Sequence, residues 1–239
     1  MLPDDAVERV LVVTAHPDDV DFGAAGTIAT LTDAGVEVAY CICTDGDAGG
    51  FDPSVPRSAI GGIRQAEQRA AAKVVGVEQV YFLGYPDGRL EPTFELRRDI
   101  SRVIRQVRPQ RMLVQSPERD YERIARSHPD HRAAGEAALN AVYPDARNPF
   151  AHPELLAEEG LDAWIVPEVW IMGGPAAQHY VDVTSTFDRK IAALRAHESQ
   201  TGHMEDLAEF VGSWLSRTAQ LAGLPEGHFA EAFHVISTA

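Results

Sequence analysis

Apolar positions fall into short β-branched runs separated by longer stretches of helical character. Val10-Leu-Val-Val-Thr14 is the first run, ended by a His-Pro turn, as suits a buried parallel strand. Gly23–Ala34 is rich in Ala, Ile and Leu and closes at Gly35, so it reads as a helix with a glycine stop. Val36–Cys43 is a second strand, and Asp45-Gly-Asp-Ala-Gly-Gly50 opens a loop expected to reach about Gly62. Helices follow at Ile63–Val75 and Phe94–Val107, with strands at Val80–Leu83 and Arg111–Gln115. Ser127–Val142 holds another helix, with Ser127 or His128 placed to cap it and Pro129 in its first turn. Strands at Val166–Met172 and Tyr180–Val183 come next, then closing helices at Phe187–Ser199 and Glu205–Leu221. Strand–helix alternation through the first 140 residues or so predicts an α/β fold with a mostly parallel central sheet covered on both faces. No repeat, linker or composition break divides the chain, so residues 1–239 are expected to form one domain.

Charge narrows the set of partners. With 21 Lys+Arg against 36 Asp+Glu, the formal net charge is −15, which repels phosphate backbones and anionic lipid heads. Nucleic acid and membranes are therefore not expected partners. The acidic start MLPDDAVERV lacks the n- and h-regions of a signal peptide, and no apolar run reaches the roughly 18 residues of a membrane helix. A cytoplasmic location is the expectation. Cys41 and Cys43 share one face of a strand and read as buried thiols, too few for a structural zinc site.

In open α/β sheets ligands bind beyond the carboxyl ends of the strands, and the chemistry-bearing residues gather there. Thr14-Ala-His16-Pro17-Asp18-Asp19 follows the first strand with one imidazole and two carboxylates in four residues. His16 and Asp19 can converge on one point in a tight turn, with Asp18 in the same pocket. Nitrogen and oxygen donors suit a borderline cation such as Zn²⁺, and a carboxylate beside it, not bound to it, is what a general base needs. Ser127-His128-Pro129-Asp130-His131 follows the fourth strand at a helix start, its two histidines three apart. One can complete a three-ligand site that leaves a position open for water; the other can support it or face substrate. Either cluster alone could be an ordinary turn, or acidic residues favoured by a helix dipole. Two His-Pro-Asp clusters, each at a strand's carboxyl end, point to a metal site.

These pieces resemble the PIG-L, or LmbE-like, deacetylase family. The resemblance rests on Ala15-His-Pro-Asp-Asp19 and His128-Pro-Asp-His131, with Thr44-Asp-Gly46, Arg64-x-x-Glu67, Leu83-Gly-Tyr-Pro-Asp-Gly88, Asp182-Val-Thr184 and Lys190…His197-Glu-Ser-Gln200 around them. It implies a Rossmann-like three-layer sandwich and zinc-dependent hydrolysis of an N-acyl group, on N-acetylglucosamine joined to inositol, malate or another aglycone. It further implies His16, Asp19 and His131 as metal ligands, Asp18 as general base, and His128, in protonated form, as the group that stabilises the oxyanion. Arg64 and Asp87 match positions that face substrate, and Asp130 is placed to orient a ligand imidazole. A homo-oligomer is expected on the same ground. The chain departs from many members at Val20, where they carry Glu, and at Arg126, where some thiol-biosynthesis members have an aromatic.

Other readings compete. Two histidines and a carboxylate also make the facial triad of Fe²⁺ enzymes, though a free neighbouring Asp serves hydrolysis better. A nucleotide-binding module without hydrolysis fails on its first turn, which lacks Gly-x-Gly-x-x-Gly; a binding-only relative would not need the whole metal and base set. Without the resemblance Arg64 and Glu67 read as a surface ion pair, and His197 reads equally as a pocket residue or a helix-end histidine. Arg97, Arg98, Arg102 and Arg105 are expected on a solvated helix face, and Trp164, Trp170 and Trp214 in packing. The loop around Asp45–Gly62 and the segment Pro144–Pro167 are expected to set specificity.

Overall fold

In a computed structural model that describes residues 1–124 and 127–238, these runs assemble into a sheet of seven strands among the described residues. The strands are β1 (Arg9–Thr14), β2 (Glu37–Thr44), β3 (Gln79–Tyr85), β4 (Arg111–Gln115), β5 (Glu168–Met172), β6 (His179–Asp182) and β7 (Ala230–Ser237). Their order is β3-β2-β1-β4-β5-β7-β6. Pairing from β3 through β5 is parallel, and β7 runs against both its neighbours. The helices are α1 (Asp19–Asp33), α2 (Arg57–Val74), α3 (Phe94–Val107), α4 (Pro129–Asn140), α5 (Pro153–Ala157), α6 (Phe187–Arg195), α7 (Glu198–Thr201) and α8 (Leu207–Leu221).

The period-2 geometry of strands explains the two cores. On β1, Leu11 and Val13 pack with α3 and α4, while Val10 and Val12 face α1, α2 and α6. Cys41 and Cys43 lie together on the α3–α4 face as free, fully buried thiols. Helices on both faces make the three-layer α/β sandwich that the alternation implies. A smaller third core joins α8 to Val183 and Leu194. Among the described residues no helix is long and apolar enough to cross a membrane.

Several expectations need correction. Helix α1 starts at Asp19, inside the motif, not at Gly23, and α2 starts at Arg57, so the preceding loop ends at Pro56. The helix expected over Phe187–Ser199 breaks at Ala196–His197 into α6 and α7. Strand β7 and the short α5 carry no clear periodic signal and were not anticipated. Arg105 is not solvated: it is buried and donates to the carbonyls of Asp145, Ala146, Asn148 and Ala151, tying α3 to the following loop.

The strand order reverses direction between β1 and β4. The chain leaves β1 toward β2 and β3 on one side, and leaves β4 toward β5 on the other. That switch point opens a crevice at the strands' carboxyl ends. Ala15 N–H donates to the Gln115 side-chain oxygen (2.8 Å), which pins the end of β1 to the end of β4 at its floor.

Candidate metal centre

Each wall of the crevice follows one strand. After β1, His16 N–H donates to Asp19 Oδ2 (2.7 Å), closing a tight turn, and Asp18 takes the left-handed region at φ 101° before α1 begins. After β4, His128 caps α4: its Nδ1 accepts from Asp130 N–H (3.2 Å), with Pro129 at the first helical position. After β3 the Pro86-Asp87-Gly88 turn brings Asp87 in, held by its N–H to Asp47 (2.9 Å).

These turns bring the sequence-predicted residues into one cluster. The ring centroids of His16, His128 and His131 form a nearly equilateral triangle, 5.0, 5.2 and 5.1 Å on its sides. The three rings can offer nitrogens that all lie within 4.8 Å of one another, and so can one nitrogen of His16 with one oxygen each from Asp87 and Asp130. Asp19 sits between two rings, Oδ2 3.2 Å from His16 Nδ1 and Oδ1 3.0 Å from His131 Nε2. On the far side of His16, Nε2 meets Asp87 Oδ1 (3.0 Å) and Asp130 Oδ2 (3.1 Å). Asp130 also accepts from the Gly88 and Leu90 amides, so it is fixed in the wall.

The electrostatics show what this arrangement demands. Burial alone would lower the His16 pKa, but Asp19, Asp130 and Asp87 against the ring raise it to about 12. Burial works to raise the Asp19 carboxyl, yet His131 and His16 hold it well below its ordinary value. His16 thus keeps a proton where the carboxylates call for positive charge, and a metal cation satisfies the same demand. Nitrogen and carboxylate donors together fit a borderline divalent ion. The donors Asp87 and Asp130 are enclosed in the wall, whereas the His131 side chain, which also meets Asp19, is 25% exposed and leaves room for a reacting molecule.

Asp18 lies beside this cluster with its own partners. Burial raises its carboxyl to about 6, against the pull of the Arg64 guanidinium. Arg64 Nη2 donates to Asp18 Oδ2 (2.9 Å) and to Pro17 O, and Nη1 to Gly46 O (3.2 Å). A Cβ on Gly46, itself at φ 64°, would lie 2.6 Å from Arg64 Nη1, so glycine is needed there for the loop to close over the guanidinium. Arg64 is 3% exposed, and no surface pair with Glu67 forms: Glu67 instead accepts from Ser199. Asp87 is likewise buried and turned toward His16 and the backbone of Ala48. Both positions lie in the cluster, facing the chain's own groups.

His128, expected in protonated form, lies in surroundings that favour its neutral form. Burial and the neighbouring rings of His16 and His131 lower its pKa. With Nδ1 accepting from Asp130 N–H, the neutral ring carries its proton on Nε2 and can still donate one hydrogen bond. His197 lies at a helix end, between α6 and α7, and is fully buried there, with Nε2 2.8 Å from Asp21 Oδ2. Val20 packs in the core, and Arg126 lies outside the described residues.

Sequence reasoning missed Gln68, Gln115, Asp21 and the place of His197. Gln115 had a signal, a polar residue ending an apolar strand at the switch point. Gln68 had a weaker one, its position one turn beyond Arg64 on the same face of α2.

Comparison with known proteins shows the family. The family described as "PIG-L: GlcNAc-PI de-N-acetylase" matches residues 11–142. Diacetylchitobiose deacetylase of Thermococcus kodakarensis is 34% identical, over 98% of this chain and 85% of its own. A probable N-acetyl-alpha-D-glucosaminyl L-malate deacetylase of Bacillus cereus is also 34% identical, over 82% of this chain and 85% of its own. The solved structure of N,N'-diacetylchitobiose deacetylase from Pyrococcus horikoshii superposes with a TM-score of 0.88 at 30% identity, covering 98% of this chain and 86% of that one.

Proposed function

This chain belongs to the PIG-L family, and we propose that it is a zinc-dependent amide hydrolase removing an N-acetyl group from a sugar conjugate of the N-acetylglucosamine type. The observation that carries the reading is Asp18: a carboxyl with a pKa near 6, tied to Arg64, beside but not within the Asp19–His16–His131 contact set. The relatives' deacetylation of N-acetylglucosamine derivatives supplies the substrate class.

In this reading His16, Asp19 and His131 hold the metal. Asp19 already has one oxygen toward a nitrogen of each histidine, so the three would offer a divalent cation two ring nitrogens and a carboxylate. Zinc when bound lowers the pKa of its water from 15.7 to about 7 and polarises the acyl oxygen. Asp18 accepts the proton of the attacking water, its pKa close enough to neutrality for exchange in both directions. As the C–N bond of the tetrahedral adduct breaks, protonated Asp18 gives that proton to the leaving amine, and the acetate is left. The Nε2–H of neutral His128 donates to the developing oxyanion, a contact whose loss typically costs about 2.7–4 kcal/mol. Asp130, with Asp87, accepts from His16 Nε2 and so presents Nδ1 to the metal, the usual carboxylate–histidine–metal arrangement. Arg64 acts through Asp18: its Nη2 fixes the carboxylate and balances its charge.

Metal content and amine release from N-acetylglucosamine and its β-1,4-linked dimer, measured on wild type and His131→Ala, test this. Near-stoichiometric zinc and amine release in the wild type, both lost in the variant, are expected. A folded wild type that takes up neither Zn²⁺ nor Fe²⁺ would overturn the metal assignment. Iron at full occupancy with amine release would keep the hydrolysis and change the cation.

A further inference from the structure

A buried chain of hydrogen bonds runs from the backbone of Asp18 into the core, through residues that the chemistry above does not use. Asp18 N–H donates to Gln68 Oε1 (2.8 Å). Gln68 Nε2 donates to Asp21 Oδ2 (2.8 Å). The same Asp21 oxygen meets His197 Nε2 at 2.8 Å. Gln68, Asp21 and His197 are all fully buried. They come from α2, the first turn of α1, and the break between α6 and α7.

Asp18 needs such support. Its φ of 101° lies in a region that an L-residue occupies only when its surroundings hold it. Its carbonyl is taken by the amides of Asp21 (2.9 Å) and Phe22 (3.0 Å) as α1 begins. Its amide has left the regular pattern and meets only the Gln68 side chain among the contacts described. The direction in which the Asp18 carboxylate leaves the backbone is therefore set by this one amide contact on one side and Arg64 on the other.

The chemistry of the position selects glutamine. The group must accept from a backbone N–H at one end and donate to a carboxylate at the other. A planar primary amide does both at once, which also fixes which end is oxygen and which nitrogen. A glutamate would set a second carboxylate against Asp21; a methionine of similar length offers neither contact.

Resting on the general-base reading of Asp18, we propose that Gln68, anchored on Asp21 and His197, is the positioning residue that holds the Asp18 peptide in its left-handed conformation and so aims the catalytic carboxylate. Gln68 touches neither substrate nor metal ligand, and its effect passes through the Asp18 backbone. A displacement of about 1 Å in a reacting group can cost about 100-fold in rate, and that is the scale of loss expected here.

The test is Gln68→Met in the metal-loaded protein, with four readings: metal content, KM, kcat, and hydrogen exchange at the Asp18 amide. The proposal expects full metal, an unchanged KM, kcat lower by about 100-fold, and an Asp18 amide that exchanges far faster than in the wild type. Should Gln68→Met prove too unstable to purify, Gln68→Asn keeps both polar groups but draws them back by one methylene, and the same four readings apply. Wild-type kcat in a folded, metal-loaded variant would overturn the proposal. So would a loss of kcat that follows metal loss while the Asp18 amide stays protected, since Gln68 would then act on the ligands rather than on the base. Asp18→Asn, assayed alongside, separates the two levels of inference. If Asp18→Asn retains turnover, the general-base reading falls and the positioning role with it. If Asp18→Asn is inactive and Gln68→Met is not, only the positioning role falls.

Discussion

Asp18 combines three properties that one substitution each can take apart: a strained backbone, a half-buried carboxyl and a guanidinium partner. Asp18→Asn removes the proton acceptor and leaves His16, Asp19 and His131 in place. Metal content should be unchanged, and turnover should fall by about 10²–10⁴. The pH profile carries a sharper expectation. A base must be ionised to accept a proton, so with a pKa near 6 the acid limb of kcat/KM should be half-maximal near pH 6. Burial pushes that value up and Arg64 pulls it down. Removing the pull in Arg64→Met should move the limb to higher pH, read directly from kcat/KM across pH 5–9; a limb that stays put or moves down would sink this account of Arg64. At this scale the clusters His16-Pro-Asp-Asp19 and His128-Pro-Asp-His131 were legible, because turn residues after strands converge locally. The partners that Arg64 and Asp87 take within the fold were not. Whether a polar side chain faces a crevice or a neighbouring chain depends on which loops close over it, as the Gly46 loop does over Arg64.

Among the elements, α4 carries most of one wall, since His128, Asp130 and His131 all lie in its cap and first turn. Its distance from β4 is set by Gly135, where a Cβ would overlap the Gln115 carbonyl. Alanine is the better helix former by about 1 kcal/mol, yet Gly135→Ala has to push the helix off the strand, an overpacking cost of about 1–3 kcal/mol. The net expectation is a lower midpoint in chemical denaturation and a disproportionate loss of activity, because the wall moves as a unit. An unchanged midpoint would show that the helix yields without cost. Element bounds were legible where local signals were strong: α3, closed by Arg108-Pro109, and β4, which follows that proline. They were obscure where function or pairing overrides local signals. The first turn of α2, Arg57 to about Gly61, is glycine-containing and polar and so resembles loop. Strand β7 alternates Ala, Glu, Ala, Phe, His and Val without a clean apolar face, because Glu231 is buried against Lys190 while His234 points to Ala176 at the surface.

At the scale of the whole molecule, the match to the family ends at residue 142, but the support of the site does not. Lys190, on α6, reaches into α1: its Nζ donates to the carbonyls of Asp21 (2.8 Å) and Phe22 (2.6 Å) and pairs with Glu231 Oε1 at 2.7 Å. Glu231, on β7, accepts in turn from the amides of Gly26 (3.1 Å) and Thr27 (2.7 Å). Both charged side chains are fully buried, so the helix that presents Asp19 and Asp21 is clamped by residues from the last quarter of the sequence. We therefore propose that the 239 residues fold as one cooperative unit. Truncating one partner of a buried ion pair leaves the other charge without compensation, at about 3–5 kcal/mol. Lys190→Met should shift the entire unfolding transition to lower denaturant by that amount while keeping it single. Lys190→Met combined with Glu231→Gln should recover part of the loss, because the amide no longer buries a bare charge but still accepts from the α1 amides. The measurement is denaturation followed by tryptophan fluorescence, with Trp164, Trp170 and Trp214 beyond residue 142, and by metal release from the family-matched segment 11–142. Coincident curves support one cooperative unit. If the metal is released at lower denaturant than the tryptophan signal changes, the family-matched half unfolds by itself, and the clamp stabilises α1 locally without joining the two halves.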